Sequence, residues 1–371
     1  MAQLWQRGPR RLISISRGIT ADWPRVESAD YLTADIRDEQ ALISIIRMTK
    51  PDVIFHLAAQ RDPGLAEIEV RRTITTNVLG TRNVLTAATA HGTGHVVYAS
   101  TGKALRPYLP EIYAASKRVG EWLMAEAAQN TDIRCSAARF THVMDNSIIY
   151  RRLLAWAGPA GQEEAYGNQA VRLHQPDIYF YVQSALEAAQ LLLCAYIGAT
   201  PGELRLQGIT DLGLPFTLLD LAIGVLGSTR STTPIYFSGY DAGYEQVAFP
   251  GLYDPLTAGD VSPLLSALEA AATTHSPSAM TDSFRLGFAP DQRLAKQLAA
   301  LVGDCDNTLG ESQLKDRLDQ LSWSLDSSLR STPRWVLERC AAQARRHWDT
   351  MIPSHRRMLR SIDDLLAIPE S

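Results

Sequence analysis

Short runs of β-branched and aromatic residues, each closed by a polar or turn-forming cluster, alternate with longer stretches of helical spacing along the chain. Leu12-Ile13-Ser14-Ile15-Ser16 alternates with period two after Gly8-Pro9, a helix stop, and reads as a strand. Tyr31 to Asp35 reads as the next strand with its exit loop, and 38–49 as a helix. Pro51-Asp52 then breaks the chain into a strand over Val53-Ile54-Phe55-His56-Leu57, in which His56 alternates inward as a core histidine. A helix is expected over Glu69–Ala90 and a strand over His95-Val96-Val97-Tyr98-Ala99. Pro107 and Pro110 hold the chain out of helix until Glu111, and a helix runs from Tyr113 to about Ala128. Ile133–Arg139 reads as a strand, Gln175-Pro176-Asp177 opens a helix to about Ala195, and Phe216 to Leu221 begins a further strand-to-helix exchange. Strands alternating with helices predict an α/β protein with a doubly wound parallel sheet. From Thr273 the chain changes character. A Thr/Ser/Pro segment over 273–283 reads as a linker, and Pro290 to Ile368 as several helices packed through Trp323, Trp335 and Trp348.

Composition narrows the classes. The 371 residues exceed one typical domain, and a hydrophobic content of 46% with 20% charged residues supports a large core rather than disorder. A net charge of −4 gives no electrostatic ground for a nucleic-acid partner, and Arg345-Arg346-His347 and His355-Arg356-Arg357 read as a solvated helical face. The four cysteines, Cys135, Cys194, Cys305 and Cys340, lie far apart without CxxC spacing, so neither a metal site nor a disulfide framework is expected, in keeping with a reducing cytoplasm. No run approaches the ~18 apolar residues of a membrane span, and the N-terminus has no apolar signal core.

The chemistry concentrates between His95 and Leu123. In an open α/β sheet ligands bind at the carboxyl ends of the strands, which is where Ser100, Thr101 and Lys103 fall. On the following helix the i, i+4 spacing puts Tyr113 and Lys117 on one face. A free phenol titrates near ~10, and an ammonium held beside it favours the phenolate, which could then accept a proton near neutral pH. The other reading of the pair is a surface tyrosine and lysine on an ordinary helix.

Ser-Thr-Gly-Lys-Ala at 100–104, the proline-bearing spacer, and Tyr-Ala-Ala-Ser-Lys-Arg-Val-Gly-Glu at 113–121 together resemble the extended short-chain dehydrogenase/reductases. Within them the likeness is to the nucleotide-sugar 4,6-dehydratases and epimerases of capsule and flagellin glycan synthesis, whose segment reads roughly STDKA, a spacer, then YGATKRxAE. The resemblance covers roughly residues 5–250. It implies a Rossmann-like cofactor domain over 1–150 with an interleaved helix at 177–196 and a smaller substrate lobe over 151–272, with a helical C-terminal extension over 273–371 lying outside it. It also implies a nucleotide-sugar substrate, a nicotinamide dinucleotide and a homo-oligomer. The family's first strand and glycine-rich turn have no counterpart: no GxxGxxG or GxGxxG occurs, and Met1 to Arg7 looks like the tail of the helix that follows that turn. The dinucleotide's pyrophosphate normally rests on that turn, so the chain resembles a member that begins late and is expected to bind its cofactor weakly.

The same resemblance assigns roles residue by residue. Ser16-Arg17 end the first strand in place of an NAD-selecting carboxylate; a hydroxyl and a guanidinium suit a 2′-phosphate and favour NADP over NAD, the alternative being a surface arginine. Asp35-Ile36 match the pair beside the adenine, and Ala58-Ala59 match small residues lying against the cofactor, unless they serve tight packing alone. Asn77, within Thr76 to Thr81, matches the asparagine that supports the active-site backbone, and Ser100 joins this cofactor-side set. Arg61 and Glu67 fall near the sugar nucleotide, and His142 and Asn146 in a rebuilt loop nearest its diphosphate. Tyr113 would take the proton from the sugar 4-hydroxyl as hydride leaves C4, Lys117 would hold the ribose and lower the tyrosine's pKa, and Thr101 would bond O4. Gly102 stands where the dehydratases carry an aspartate that works with the following lysine. Lys103 remains alone, so epimerisation, or elimination helped by another group, is as open as standard dehydration. The competing expectation is a binding or regulatory protein, or a truncated member, that kept the fold and lost the reaction.

Overall fold

The computed structural model describes residues 1–18, 25–104, 111–144, 147–157, 170–176, 178–210, 212–239, 264, 269, 281–286, 288, 292–307, 309–325, 334–346, 348–350 and 353–368. A short helix, α1 (Ala2–Trp5), precedes the parallel pair β1 (Leu12–Ser16) and β2 (Ala29–Thr33). Helix α2 (Glu39–Thr49) starts where the Asp38 carboxylate accepts from Ala41 N at 2.9 Å, and β3 (Val53–His56) follows it. After α3 (Pro63–Ile68), the helix expected over 69–90 consists of α4 (Val70–Thr73), a π-helical turn (Ile74–Leu79) and α5 (Gly80–Ala90). Strand β4 (His95–Thr101) leads to α6 (Ile112–Asn130) and β5 (Arg134–Phe140); Pro107 and Pro110 lie outside the described residues.

The second lobe interrupts the sheet. It holds β6 (His142–Val143), α7 (Ile148–Ala157), β7 (Val171–Leu173), β8 (Tyr179–Phe180) and β9 (Val182–Gln183). The chain then returns through α8 (Ala185–Ile197) to β10 (Leu204–Ile209) before leaving again as β11 (Phe216–Thr217), α9 (Leu218–Thr229) and β12 (Ile235–Phe237). Where the pattern predicts a helix from Gln175-Pro176-Asp177, the helix starts only at Ala185, and Asp177 lies outside the described residues. Tyr179, Phe180 and Val182 favour extended backbone. Ser184 and Glu187 form a reciprocal cap, with Ser184 Oγ accepting from Glu187 N at 3.1 Å and the Glu187 carboxylate accepting from Ser184 N at 2.7 Å. Leu153, Leu173, Leu218 and Val225 give this lobe a core of its own.

The central sheet runs β13 (Thr281–Leu286), β10, β5, β4, β3, parallel throughout except for the antiparallel β13 edge. Both faces are covered, and alternate residues of β4 divide between them. Val96 and Tyr98 join Leu42, Val84 and Trp122 from α2, α5 and α6, while Val97 lies with Leu191, Leu192 and Ala195 of α8. This is the doubly wound arrangement that near-continuous apolar strands require. The β1-β2 pair forms its own small sheet among the described residues.

The residues beyond 280 depart from the expected extension of a linker over 273–283 followed by helices. Thr281–Leu286 alternates and pairs with β10 as a sheet strand, and residues 273–280 of the expected linker lie outside the described residues. Helices α10 (Gln292–Asp306) and α11 (Glu311–Ser324) place Leu294, Leu298, Leu301, Leu314, Leu318 and Leu321 in the same core as α6. Each such leucine contributes roughly 1.5–3 kcal/mol by burial. The Arg71 guanidinium reaches the carbonyls of Cys305 and Leu309, and Arg71 N donates to the Glu311 carboxylate at 2.7 Å. Two further helices, α12 (Arg334–Arg345) and α13 (Pro353–Leu366), follow. Trp323 packs under the Arg357 guanidinium at 3.6 Å and Trp348 under that of Arg356 at 5.4 Å, but Trp335 is 57% exposed, which corrects its expected role in packing. The cysteines are free thiols, and no described helix is long and apolar enough to cross a membrane.

Candidate active site

The register between β4 and α6 fixes the site. A Cβ at Gly120 would lie 2.2 Å from Tyr98 Oη, so only glycine lets the helix settle this closely over the strand. That seating brings Tyr113, in the first turn of α6, close enough to Thr101, at the end of β4, for the threonine to lower the phenol's pKa. Lys117, one turn further on, donates from Nζ to the Ala99 carbonyl at 2.6 Å and lies 4.3 Å from the centre of the Tyr98 ring.

These contacts change the expected electrostatics. Burial pushes the Tyr113 phenol up to about 12; the neighbouring Thr101 hydroxyl and the Arg61 charge oppose it, and Glu111 adds to it. Lys117 turns its charge toward a carbonyl and an aromatic face, so the groups that favour a Tyr113 phenolate here are Thr101 and Arg61. Burial pushes Lys117 itself down to about 7, against the pull of Glu121.

Around the pair, several candidates are held by the protein. Lys103 Nζ donates to both oxygens of Glu111 at 2.9 Å, and Glu111 is buried at the start of α6. Gly102 packs so that a Cβ there would lie 2.7 Å from Leu264 Cδ2. Ser100 Oγ turns inward to Glu121 at 2.6 Å. Glu121 sits in a buried cluster: Arg139 forks onto it with two bonds of 2.8 Å and onto Glu269 with bonds of 2.8 and 2.9 Å, while Arg118 reaches Glu269 at 2.9 Å. Two guanidiniums against two carboxylates leave no net charge, and the forked geometry offsets much of the desolvation.

Asn77 serves the backbone. Its Oδ1 accepts from Gln60 N at 2.7 Å, and its amide donates to Gln60 O at 3.0 Å and to Ser116 Oγ at 2.9 Å, tying the exit of β3 to α6. The π-helical turn that carries it is a common device at functional sites. One turn on, Thr81 Oγ donates to Asn77 O at 2.7 Å and so must accept from His56 Nε2 at 2.9 Å, which makes His56 a satisfied core residue. Glu67 is drawn to the start of α6: Oε1 accepts from Ile112 N at 2.7 Å, and Lys315 Nζ donates to Oε2.

The remaining candidates line the open strand ends. Ala58 and Arg17 are exposed, and Ala59 and Ser16 are half-buried. Asp35 is gripped by the Arg37 guanidinium, chiefly through that hydrogen bond, which holds its carboxyl below the usual range. Ile36 packs against Gly80, where a Cβ would fall 2.5 Å from Ile36 Cδ1. Arg61 is exposed nearby. His142 lies 5.2 Å from the Phe180 ring, and burial together with the Lys103 charge lowers its pKa. Asn146 lies outside the described residues. Sequence analysis gave no role to Glu111, Glu121 or Glu269, although Glu121 closes the 113–121 motif and Glu111 stands two residues before Tyr113.

Comparison with known proteins gives a consistent picture. Residues 12–246 match the family described as polysaccharide biosynthesis protein. The probable polysaccharide biosynthesis protein EpsC of Bacillus subtilis is 27% identical over 224 residues, covering 58% of this chain and 35% of that protein. A UDP-N-acetylglucosamine 4,6-dehydratase (inverting) of Campylobacter jejuni is 30% identical over 132 residues, 34% of this chain and 38% of that one. The chain therefore spans little more than a third of the length of these curated relatives. Among solved structures, the Thermus thermophilus UDP-glucose 4-epimerase in complex with NAD superposes with a TM-score of 0.54 at 17% identity, covering 65% of this chain and 82% of that one, a likeness of fold.

Proposed function

The chain belongs to the polysaccharide biosynthesis protein family of short-chain dehydrogenase/reductase-type dehydratases and epimerases, and on that premise we propose that it modifies a nucleoside-diphosphate hexose at C4 with a nicotinamide dinucleotide. The juxtaposition of Thr101, at the carboxyl end of β4, with Tyr113, in the first turn of α6, carries this reading. A sugar 4-hydroxyl seated between the two oxygens would accept from Thr101 and donate to Tyr113 in its deprotonated form, so that its proton passes to the phenolate and restores the phenol as a hydride departs C4. A bound dinucleotide supplies the hydride acceptor. The residues present fit such a group: Ala58 and Ala59 add nothing beyond Cβ at the end of β3, and Ser16 with the exposed Arg17 at the end of β1 suits a 2′-phosphate, favouring NADP. With glycine at 102, reversible oxidation and epimerisation take precedence over water loss, and the Lys103-Glu111 pair is the acid-base couple available to an elimination.

UDP-hexoses are the first substrates to try, because the similar proteins named above act on them by their titles. The test incubates the full chain with UDP-glucose or UDP-N-acetylglucosamine and either dinucleotide, reading loss of water by mass spectrometry and inversion at C4 by NMR. Turnover that vanishes in Tyr113→Phe supports the proposal, and no product with any pairing overturns it. One observation favours a second, non-catalytic reading: a phenol pushed up to about 12 stays protonated at neutral pH. Tight sugar-nucleotide binding without turnover would mark that case.

A further inference from the structure

We infer that Lys315 is a positioning residue for the helix that carries Tyr113, acting through Glu67. The inference rests on the reaction proposed above. Helix α6 needs an acceptor for the free N–H groups of its first turn. Its N-cap residue, Glu111, turns its carboxylate to Lys103 and gives no side-chain cap. Glu67 supplies the acceptor from outside, with Oε1 on Ile112 N at 2.7 Å, one residue before Tyr113. Its side chain is only 5% exposed, so a negative charge sits there at a desolvation cost unless a cation meets it. Lys315 Nζ, on Oε2, is that cation.

Lys315 is borne on a rigid element. Leu314 and Leu318 flank it on α11 and are buried against α6, so the ammonium is delivered from packed helix rather than from a loop. It also lies beyond residue 246, outside the stretch shared with the family. Without it, the Glu67 carboxylate keeps a single partner and turns toward water. Ile112 N then loses a charged acceptor and the first turn of α6 loosens, moving Tyr113 relative to Thr101.

The experiment compares Lys315→Met and Lys315→Arg in the full chain. Lys315→Met is expected to lower kcat by about 10- to 100-fold with KM little changed, and to move the rising limb of the kcat/KM profile to higher pH as Tyr113 shifts away from Thr101. Lys315→Arg, which can still meet the carboxylate, restores both. Hydrogen exchange over 111–116 reads the same device without activity: protection of the first turn falls in Lys315→Met and returns in Lys315→Arg. An unchanged exchange pattern, or a kcat loss not restored by arginine, overturns the inference. If the wild-type chain turns over no sugar nucleotide but the exchange difference appears, the reaction reading fails and the positioning role stands.

Discussion

Thr101, at the end of β4, stands close enough to Tyr113, in the first turn of α6, to oppose the burial that pushes the phenol up to about 12. In a catalytic cycle that needs the phenol as proton acceptor, the strand end thus sets the basicity of the helix start.

Tyr113→Phe removes the proton acceptor and leaves the apolar ring in place. The kcat for C4 oxidation should fall at least ~10²-fold with a small change in KM. Steady-state kinetics on a UDP-hexose check this, and an undiminished kcat would remove Tyr113 from the mechanism.

Thr101→Val deletes the hydroxyl that lowers the phenol's pKa. Because the deprotonated phenol is the active form, the rising limb of kcat/KM against pH should move to higher pH. A limb that stays put would show that Arg61, the other lowering charge, dominates.

Gly102→Asp restores the carboxylate of the related dehydratases, but its Cβ would press on Leu264 Cδ2 at 2.7 Å. Paired with Leu264→Ala, it should raise formation of the 4-keto-6-deoxy sugar, since general acid catalysis is typically worth 10²–10⁴-fold. Mass spectrometry for water loss on the double variant decides, and no gain over wild type would assign the proton to another group.

Arg139→Met should destabilise the fold by roughly 3–5 kcal/mol, because Glu121 and Glu269 would stay in the interior with half their partners gone. Urea titration measures it, and a shift below 1 kcal/mol would mean that water reaches the cluster.

Two buried histidines make stability fall in acid. Burial holds His56 at about 3 and His95 at about 4, against 6.5 for a free imidazole, so the unfolded chain binds more protons between those values. Their contribution is complete above pH 6.5 and is lost as pH falls toward 4 and then 3. Each costs up to ~1.4 kcal/mol per pH unit in that window. Urea midpoints at pH 7 and pH 5 test it; a midpoint that does not drop at pH 5 would contradict the buried neutral state.

Most strands were legible because each is a short apolar run between turn residues, a local signal. Tyr113 and Lys117 were legible as a pair for the same reason: four residues on a helix is a local relation. What each touches was not. That Lys117 faces Ala99 O and the Tyr98 ring, or that Glu67 caps α6, depends on chain segments 18 and 45 residues away. Glu121 and Arg139 were read only as the ends of a motif and a strand, and their pairing with each other and with Glu269 escaped notice because a buried ion cluster leaves no periodic trace; its members come from two elements and a distant segment. The late start of α8 was missed because Pro176 resembles a helix opening, while the Ser184-Glu187 cap was the stronger signal.

The leucines of α10 and α11 have a consequence for where this protein can be cut. The match to the family model ends at residue 246, yet Leu298, Leu314, Leu318 and Leu321 lie in the core that also holds Trp122 and Met124 of α6. A fragment trimmed to the matched stretch would open that side of α6 to water. The matched stretch is therefore smaller than the unit that folds, and domain swaps made with this chain must carry the following helices with them.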